Sequence, residues 1–438
     1  MNRLLTALLT FVVPACAQTI FIHNADVFPV TGPEMKDTSV LVQDGKIADI
    51  GPKLVVPKGA KILEAKGLRV YPGMVDSGTE LGLTEITAER VTDDTAEIGE
   101  FMPQIRAIAS VNPASEHFGN VRVNGITSVM TLPGSASGQL ISGQAAMIHT
   151  DGWTWEQMEI SRSAAMQIPF PTLGGGRGRG GASAESPGGG ADATPGGVGG
   201  GFAQQLRDYQ AKIKKLGGFF EDARHYQKAK EALAGKPGFK PDLKFEAMLP
   251  VLDGREPLAI TAAHERFILD AIKFADEQKV KLVILHPREL GKAAAELKAK
   301  NIPVIFGRVL ELPDKEDEPY DQAFTLPLEA YKAGIKFAFG TFDENQFVRN
   351  LPYQAATAVA YGLPYEEALK AVTINPAQIW GVADRIGSIE KGKVADLLVT
   401  DGDPLEIQTK IVHLIINGKE VALTNRQIEL YEKYLGRP

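Results

Sequence analysis

The chain has 438 residues, of which 44% are hydrophobic and 23% charged, a composition that excludes a wholly disordered or fibrous protein. Its net charge is −7, from 47 Lys and Arg against 54 Asp and Glu, which argues against general nucleic-acid binding because that needs a basic surface. The single cysteine excludes a disulfide framework, a cysteine-rich zinc site and an iron–sulfur cluster.

The N-terminus has the three parts of a secretory signal peptide. Arg3 supplies positive charge, residues 4–13 form a short apolar stretch, and Ala15-Cys16-Ala17 has the small-residue form of a cleavage site. We therefore predict that residues 1–17 are a signal peptide and that the protein is exported, to the periplasm or the medium. A lipid anchor at Cys16 is the second interpretation, and a buried N-terminal helix or strand is the third. No later stretch reaches the ~20 apolar residues that a membrane-spanning helix requires.

Both ends of the chain are predicted to be rich in β-strands. Asp44-Gly45 and Asn417-Gly418 each follow an apolar run and are typical of tight hairpin turns. The predicted strands around them are residues 40–42, 47–50, 395–399 and 411–416. We expect residues 18–70 and 381–438, which include a C-terminal helix, to form one small β-sandwich, with residues 71–380 as a separate domain.

The central segment alternates short apolar runs with helical patterns. Its predicted strands are residues 126–131, 145–149, 258–262, 281–285, 303–306 and 335–339. Residues 265–278 place apolar side chains at the i, i+3 and i+4 spacing of an amphipathic helix. This alternation indicates a parallel sheet, and its length favours an α/β fold of the (β/α)8 TIM-like barrel type over an open sheet.

Residues 174–201 interrupt the alternation, because 14 of these 28 residues are glycine. Such a composition cannot build a core, so it predicts a disordered insert. An RNA-binding segment does not suit an acidic exported protein. A phosphate-binding loop is not indicated either, because no Gly-Lys-Ser/Thr closes the run.

Three motifs outside this insert resemble those of one enzyme family. They are Tyr71-Pro72-Gly73-Met74-Val75-Asp76, then Gly125-Ile126-Thr127-Ser128-Val129, and finally Thr373-Ile374-Asn375-Pro376-Ala377 followed by the stretch 387–397. They are similar to motifs of the amidohydrolase superfamily, in its imidazolonepropionase-like branch. The resemblance implies a TIM-like barrel with a small sandwich domain and a metal-dependent hydrolase.

The metal site that the resemblance implies is only partly matched. The family's first barrel strand carries a His-x-His pair, and Gly78 and Glu80 stand at these positions. Glycine cannot bind a metal, whereas Glu80 could supply a carboxylate oxygen. The family's later ligands correspond to His264, His286 and Asp343, although Asp343 is shifted by one residue. Such a shift reverses the side-chain direction, unless the chain has already left the strand for the loop. The bridging carboxylated lysine of the family has no position that can be assigned.

The resemblance therefore implies one divalent metal ion, with zinc as the first candidate, held by His264, His286, Asp343 and Glu80. Asp343 and His286 would be the catalytic residues, with Asp343 taking a proton from water and passing it to the leaving nitrogen. The implied activity is hydrolysis of a C–N bond, other than a peptide bond, in a small cyclic amide or dipeptide-like substrate. No oligomeric state is indicated.

A second hypothesis is a catalytically degraded relative that has lost its metal and binds a ligand or partner. Each candidate residue also has a structural interpretation. His264 could be a polar residue at a helix start, and His286 could cap a helix or pack beneath the loop. Asp343 could be an N-cap, and Glu80 could be a surface charge.

Overall fold

The structure is a computed structural model that describes residues 18–173, 201–233, 239–313, 318–342 and 345–437. The predicted signal peptide, residues 174–200 of the predicted insert, and Asp343 lie outside the described residues. Among the residues within these ranges, no helix is long and apolar enough to cross a membrane.

The described residues form sixteen strands and eleven α-helices. The strands are β1 (Ile20–Val27), β2 (Met35–Gln43), β3 (Lys46–Gly51), β4 (Lys61–Glu64), β5 (Arg69–Pro72), β6 (Met74–Thr79), β7 (Ile126–Thr131), β8 (Gly143–His149), β9 (Glu159–Ile168), β10 (Leu258–Thr261), β11 (Leu282–Leu285), β12 (Val304–Phe306), β13 (Phe337–Phe339), β14 (Leu397–Thr400), β15 (Ile411–Ile416) and β16 (Lys419–Val421). The helices are α1 (Glu116–Arg122), α2 (Trp155–Met158), α3 (Phe202–Leu233), α4 (Leu243–Leu252), α5 (Glu265–Gln278), α6 (Ala293–Ala299), α7 (Gln322–Ala333), α8 (Leu351–Ala360), α9 (Tyr365–Ala371), α10 (Ile374–Ile379) and α11 (Arg426–Leu435), with short 3₁₀ helices at Arg90–Thr92, Ala107–Ser110 and Asn345–Asn350.

Strands from the two ends of the chain form one mixed sheet, in the order β16-β15-β14-β5-β1-β2-β3, with β4 beside β1. The two ends join where β5 pairs antiparallel with β14, which sets Val70 opposite Val399. A separate apolar cluster fills this domain and includes Ile20, Val40 and Leu397. The terminal segments were predicted to form one small β-sandwich. The structure confirms a separate β domain built from both ends of the chain, and its strands belong to one mixed sheet.

The two predicted hairpin turns are present and lie against each other. Asp44 and Gly45 have φ values of 51° and 78°, and Asn417 and Gly418 have φ values of 49° and 72°. Positive φ at both central residues is the conformation that favours Asn-Gly and Asp-Gly in two-residue hairpins. A Cβ on Gly418 would lie 2.8 Å from the carbonyl carbon of Gly45 and closer still to its Cα. Only glycine therefore fits at this contact.

We expect Gly418→Ala to destabilise the protein more than Gly392→Ala. Gly392 also has a positive φ, 91°, but nothing lies within 4 Å of a Cβ placed there. Both alanines should cost about 1–2 kcal/mol for the left-handed conformation, and Gly418→Ala should lose about 1–3 kcal/mol more because its Cβ meets backbone. Urea unfolding of both variants measures the difference, and equal losses would contradict this contact.

Strands β6 to β13 form the second sheet in chain order. The sheet closes on itself where the N–H of Phe342, just after β13, donates a 2.9 Å hydrogen bond to the carbonyl oxygen of Gly78 in β6. The predicted eight-stranded α/β barrel is confirmed. His264 follows its fifth strand, β10, and His286 follows its sixth, β11.

One barrel strand runs against the predicted direction. β8 is antiparallel to both of its neighbours, β7 and β9, whereas the other neighbouring pairs are parallel. The connections on either side of β8, residues 132–142 and 150–158, hold no helix longer than the single turn α2. Connections this short suit antiparallel neighbours, since a parallel pair needs a crossover of a dozen or more residues.

The barrel interior is apolar, and one end of it is covered. Val75, Met130 and Val283 belong to the interior cluster, together with Trp380, which follows α10. The Asn375 side chain of α10 donates to the carbonyl oxygen of Phe337, the first residue of β13. Helix α10 therefore packs against the end where strands begin, and the carboxyl ends of the parallel strands form the opposite end, the barrel mouth.

Candidate functional site

Asp76 lies in the first barrel strand and is fully buried. Its side chain links the first strand to the residues that follow the last strand. Its carboxylate accepts hydrogen bonds from the Thr341 hydroxyl at 2.7 Å, the Thr341 N–H at 3.2 Å and the Gly78 N–H at 2.9 Å. Burial raises the pKa of Asp76 to about 7, although the three hydrogen bonds act in the opposite direction. The closure of the barrel thus depends on a carboxyl group that titrates near neutral pH. The sequence had not indicated a role for Asp76.

Gly78 lies at the mouth end of the same strand and is covered by an aromatic ring. A Cβ on Gly78 would lie 2.6 Å from Cε1 of Phe342 and 3.1 Å from Cδ1 of Leu132. Real Cβ atoms do not approach other atoms as closely as the first distance. Any larger side chain at position 78, including histidine, therefore requires the Phe342 ring to move.

Glu80 is partly accessible at the mouth end of the first strand. Burial, and less strongly the negative charge of Asp93, raises the pKa of Glu80 to about 7. Its Oε1 packs against Gly134, where a Cβ would lie 3.0 Å away. None of the described residues donates a hydrogen bond to the Glu80 carboxylate. Glu80 therefore differs from an ordinary surface charge and can hold a proton near neutral pH.

His264 begins helix α5 after the fifth strand. It occupies the N-cap position with an extended backbone, and its side chain makes no capping hydrogen bond. Its Nδ1 lies 3.5 Å from Oε1 of Glu289, which also accepts a 3.0 Å hydrogen bond from the N–H of Glu265. His264 is about one-third exposed and directed toward this carboxylate.

His286 ends the sixth strand in a left-handed conformation, with φ 54°. Its N–H donates to the carbonyl oxygen of Ile305 at 2.8 Å, and its ring covers Gly307, where a Cβ would lie 2.9 Å from Cγ of the imidazole. The imidazole also meets the Phe342 ring edge to face, with centroids 5.6 Å apart and an interplanar angle of 87°. Unlike His264, this histidine is mostly buried and directed at the barrel mouth.

A charged group that the sequence analysis did not predict surrounds His286. Oε2 of Glu311 lies 3.8 Å from Nε2 of His286 and 3.2 Å from Arg288, and Oε1 lies 2.9 Å from Arg308. The Glu311 side chain is only 10% exposed, so its charge is largely shielded from solvent. These four residues also line one pocket at the mouth. We call them the His286 group.

Comparisons with known proteins agree with this architecture. The amidohydrolase family matches residues 229–421. Amidohydrolase tasK of Hapsidospora irregularis is 25% identical over 414 residues, which cover 86% of this chain but 39% of tasK, so the chain spans about two fifths of that relative's length. An imidazolonepropionase of Porphyromonas gingivalis is 50% identical over 102 residues, 21% of this chain and 24% of that enzyme. An amidohydrolase structure from Thermotoga maritima superimposes with a TM-score of 0.77 at 29% identity, covering 93% of this chain and 100% of that one.

These matches together support membership of the amidohydrolase superfamily. Amidohydrolases generally depend on metal, and the described residues do not fit an ion. Within the described ranges, no group of three or more His, Cys, Asp or Glu side chains could hold one. The two predicted histidine ligands face separate carboxylates, and the position beside Gly78 is filled by a ring. The assignment of His264, His286, Glu80 and Asp343 as ligands stays a prediction.

Proposed function

We propose that this amidohydrolase is a hydrolase that acts on a C–N bond, other than a peptide bond, in a small cyclic amide or dipeptide-like substrate. The observation that carries the proposal is the His286 group at the barrel mouth. TIM-barrel enzymes place their active sites at this end, where the strands finish. The similarity to proteins described as amidohydrolases supports the same reaction class.

The chain's own residues can supply proton transfer and charge stabilisation there. The imidazole of His286 can accept a proton and return it, and the carboxylate of Glu311 stabilises its protonated form. Arg288 and Arg308 hold positive charge beside the same pocket, where guanidinium groups can bind a substrate carboxylate or a carbonyl oxygen that becomes negative. Glu80 is a second proton-holding group of the mouth.

A panel of cyclic imides, hydantoins and N-acyl amino acids, the last of which resemble dipeptides, tests the proposal, with product release followed by mass spectrometry. We expect at least one compound to be hydrolysed, and we expect His286→Ala to slow turnover by roughly 100-fold or more, the range of a general acid–base group. His225→Ala is the matched control, because His225 lies exposed on α3. Equal activity in the two variants would remove His286 from the mechanism.

A ligand-binding protein without hydrolytic activity is the second candidate, and the Phe342 ring over Gly78 favours it. In that case, compounds of the panel would raise the melting temperature or give heats of binding while remaining intact. Binding without cleavage of any compound would support this second candidate over the first.

We also propose that the protein is exported, on the basis of its N-terminal pattern. Cell fractionation and the intact mass of the mature chain test this. A mature chain that begins at Gln18 supports cleavage after Ala17, whereas a lipid mass lost in Cys16→Ser supports anchoring at Cys16. Retention of residues 1–17 in the cytoplasmic fraction contradicts export.

A further inference from the structure

Phe342 has an unusual backbone conformation at the barrel mouth. Its φ is 43°, in the left-handed region that bulky residues rarely adopt. Its N–H is nevertheless well placed, donating to the carbonyl oxygen of Gly78 at 2.9 Å. A bulky side chain persists in such a conformation only where its surroundings hold it there. The ring position is therefore specified by the structure around it.

Two glycines on neighbouring strands make room for this ring. A Cβ on Gly340 would lie 2.7 Å from Cε2 of Phe342, and a Cβ on Gly78 would lie 2.6 Å from Cε1. The ring thus lies across the ends of the first and last barrel strands, and Leu132 borders the same Cβ position of Gly78. Both strands lack a side chain at the points where the ring passes over them.

The ring also has a specific neighbour on the sixth strand. His286 meets it edge to face, and His286 has its own left-handed φ and covers its own glycine, Gly307. Edge-to-face pairs are a favoured arrangement of two rings, because the positive edge of one meets the negative face of the other. Phe342 therefore packs against the first and sixth strands together, the region where the family resemblance implies a metal ion.

We propose that Phe342 replaces the metal ion on the first-strand side of the barrel mouth. The ring fills the volume beside residue 78, and this chain holds no divalent ion with residues of its first strand. Of the two positions that match the family's His-x-His pair, only Glu80 has a side-chain donor atom, and a single carboxylate falls short of the three or four protein ligands that a zinc site uses. Because the ring is half-buried, it leaves an apolar surface at the mouth.

This proposal goes beyond the proposed function, because it concerns ion binding and not turnover. An ion held only from the fifth and sixth strands is compatible with it. An ion held by Glu80 is incompatible with the proposal, because Glu80 and residue 78 lie on either side of Thr79, the last residue of β6. The test must therefore find whether the first strand contributes to any ion that the protein binds.

The full chain is incubated with ZnCl₂, desalted, and analysed for zinc per chain as wild type, Glu80→Gln and Glu277→Gln. Glu277 is the control because it is an exposed carboxylate of α5, 56% accessible. We expect the wild type to hold less than about a tenth of a zinc ion per chain. If it holds more, we expect the same zinc content in Glu80→Gln as in the wild type. Near-stoichiometric zinc in the wild type and in Glu277→Gln that falls at least fivefold in a folded Glu80→Gln overturns the proposal.

A second measurement needs no variant. Anomalous scattering at the zinc edge, from wild-type crystals grown with ZnCl₂, locates a bound ion directly. We expect no peak within about 3 Å of the Glu80 carboxylate, since zinc–oxygen bonds are ~2.0–2.2 Å long, and a peak there overturns the proposal. Both measurements are independent of hydrolysis, so their outcome does not depend on the substrate panel.

Discussion

Gly78→Ala is expected to lower the free energy of unfolding by about 2–3 kcal/mol, the cost of overpacking a rigid site. The added Cβ would meet Cε1 of Phe342 at 2.6 Å and Cδ1 of Leu132 at 3.1 Å, and the ring cannot withdraw without giving up its contact with His286. The same substitution made together with Phe342→Ala should cost less than about 1 kcal/mol more than Phe342→Ala alone. Urea unfolding of the wild type, both single variants and the double variant gives the coupling energy between the two sites.

Gly218→Ala is the control for the general effect of replacing glycine by alanine. Gly218 lies inside α3, and a Cβ placed there has open space around it. Alanine should therefore stabilise that helix by up to about 1 kcal/mol. Additive effects of Gly78→Ala and Phe342→Ala, with a coupling energy below about 0.5 kcal/mol, would show that the ring does not rest on Gly78.

The elements that sequence alone predicted best are those with a strong local signal. The helix 265–278, with its apolar side chains at helical spacing, and the strands 126–131 and 411–416 have the predicted bounds in the structure. The two Asp-Gly and Asn-Gly turns also form as predicted, because positive φ at consecutive residues restricts the residue types that can occupy them.

The direction of β8 and the existence of β9 could not be predicted in the same way. β8 is apolar enough to be recognised as a buried segment, but its pairing direction depends on connection length and on neighbours in space. β9 has polar or charged residues at half of its ten positions, including Glu159 and Arg162, so it lacks a continuous apolar run. The sequence pattern suggested a uniform strand–helix alternation, while the chain around β8 contains only the single-turn helix α2. A strand flanked by such short connections was the available signal for an antiparallel neighbour.

The candidate site was predictable in part. The resemblance placed His264 and His286 after the fifth and sixth barrel strands, where the structure has them. It could not reveal that Phe342 would cover Gly78, because the two residues are far apart in sequence and the fit depends on the absence of a Cβ. Glu311 was missed for a similar reason, since its partners come from two different loops.

Asp76 leads to the second large expected effect, a loss of stability as the pH rises. The pKa of Asp76 is raised from 3.8 in the unfolded chain to about 7 in the folded one, chiefly by burial. Between these values the folded protein holds a proton that the unfolded chain has lost, so stability falls as the pH rises from about 4 to about 7 and then stays low. The full shift corresponds to about 4 kcal/mol, and the part between pH 5 and pH 8 to roughly 2–3 kcal/mol.

Asp76→Asn should abolish this dependence. Asparagine keeps an oxygen that accepts from the N–H groups of Gly78 and Thr341, and its amide can donate to the Thr341 hydroxyl, which reverses its own role from donor to acceptor. Relative to the wild type, the variant should therefore gain roughly 2–3 kcal/mol between pH 5 and pH 8. Guanidinium unfolding across this range measures the difference.

The difference between the wild type and Asp76→Asn isolates Asp76 from groups that titrate in the same range in both proteins. Glu80 also has a pKa near 7, but it is present in both proteins, so its contribution cancels in their difference. Asp384→Asn is the matched control, because Asp384 has a 78% exposed side chain, and its curve should run parallel to that of the wild type. If the plot of stability against pH for Asp76→Asn also ran parallel to that of the wild type, Asp76 would not hold its proton at neutral pH. The closure of the barrel would then rest on an ionised carboxylate that its three hydrogen bonds stabilise.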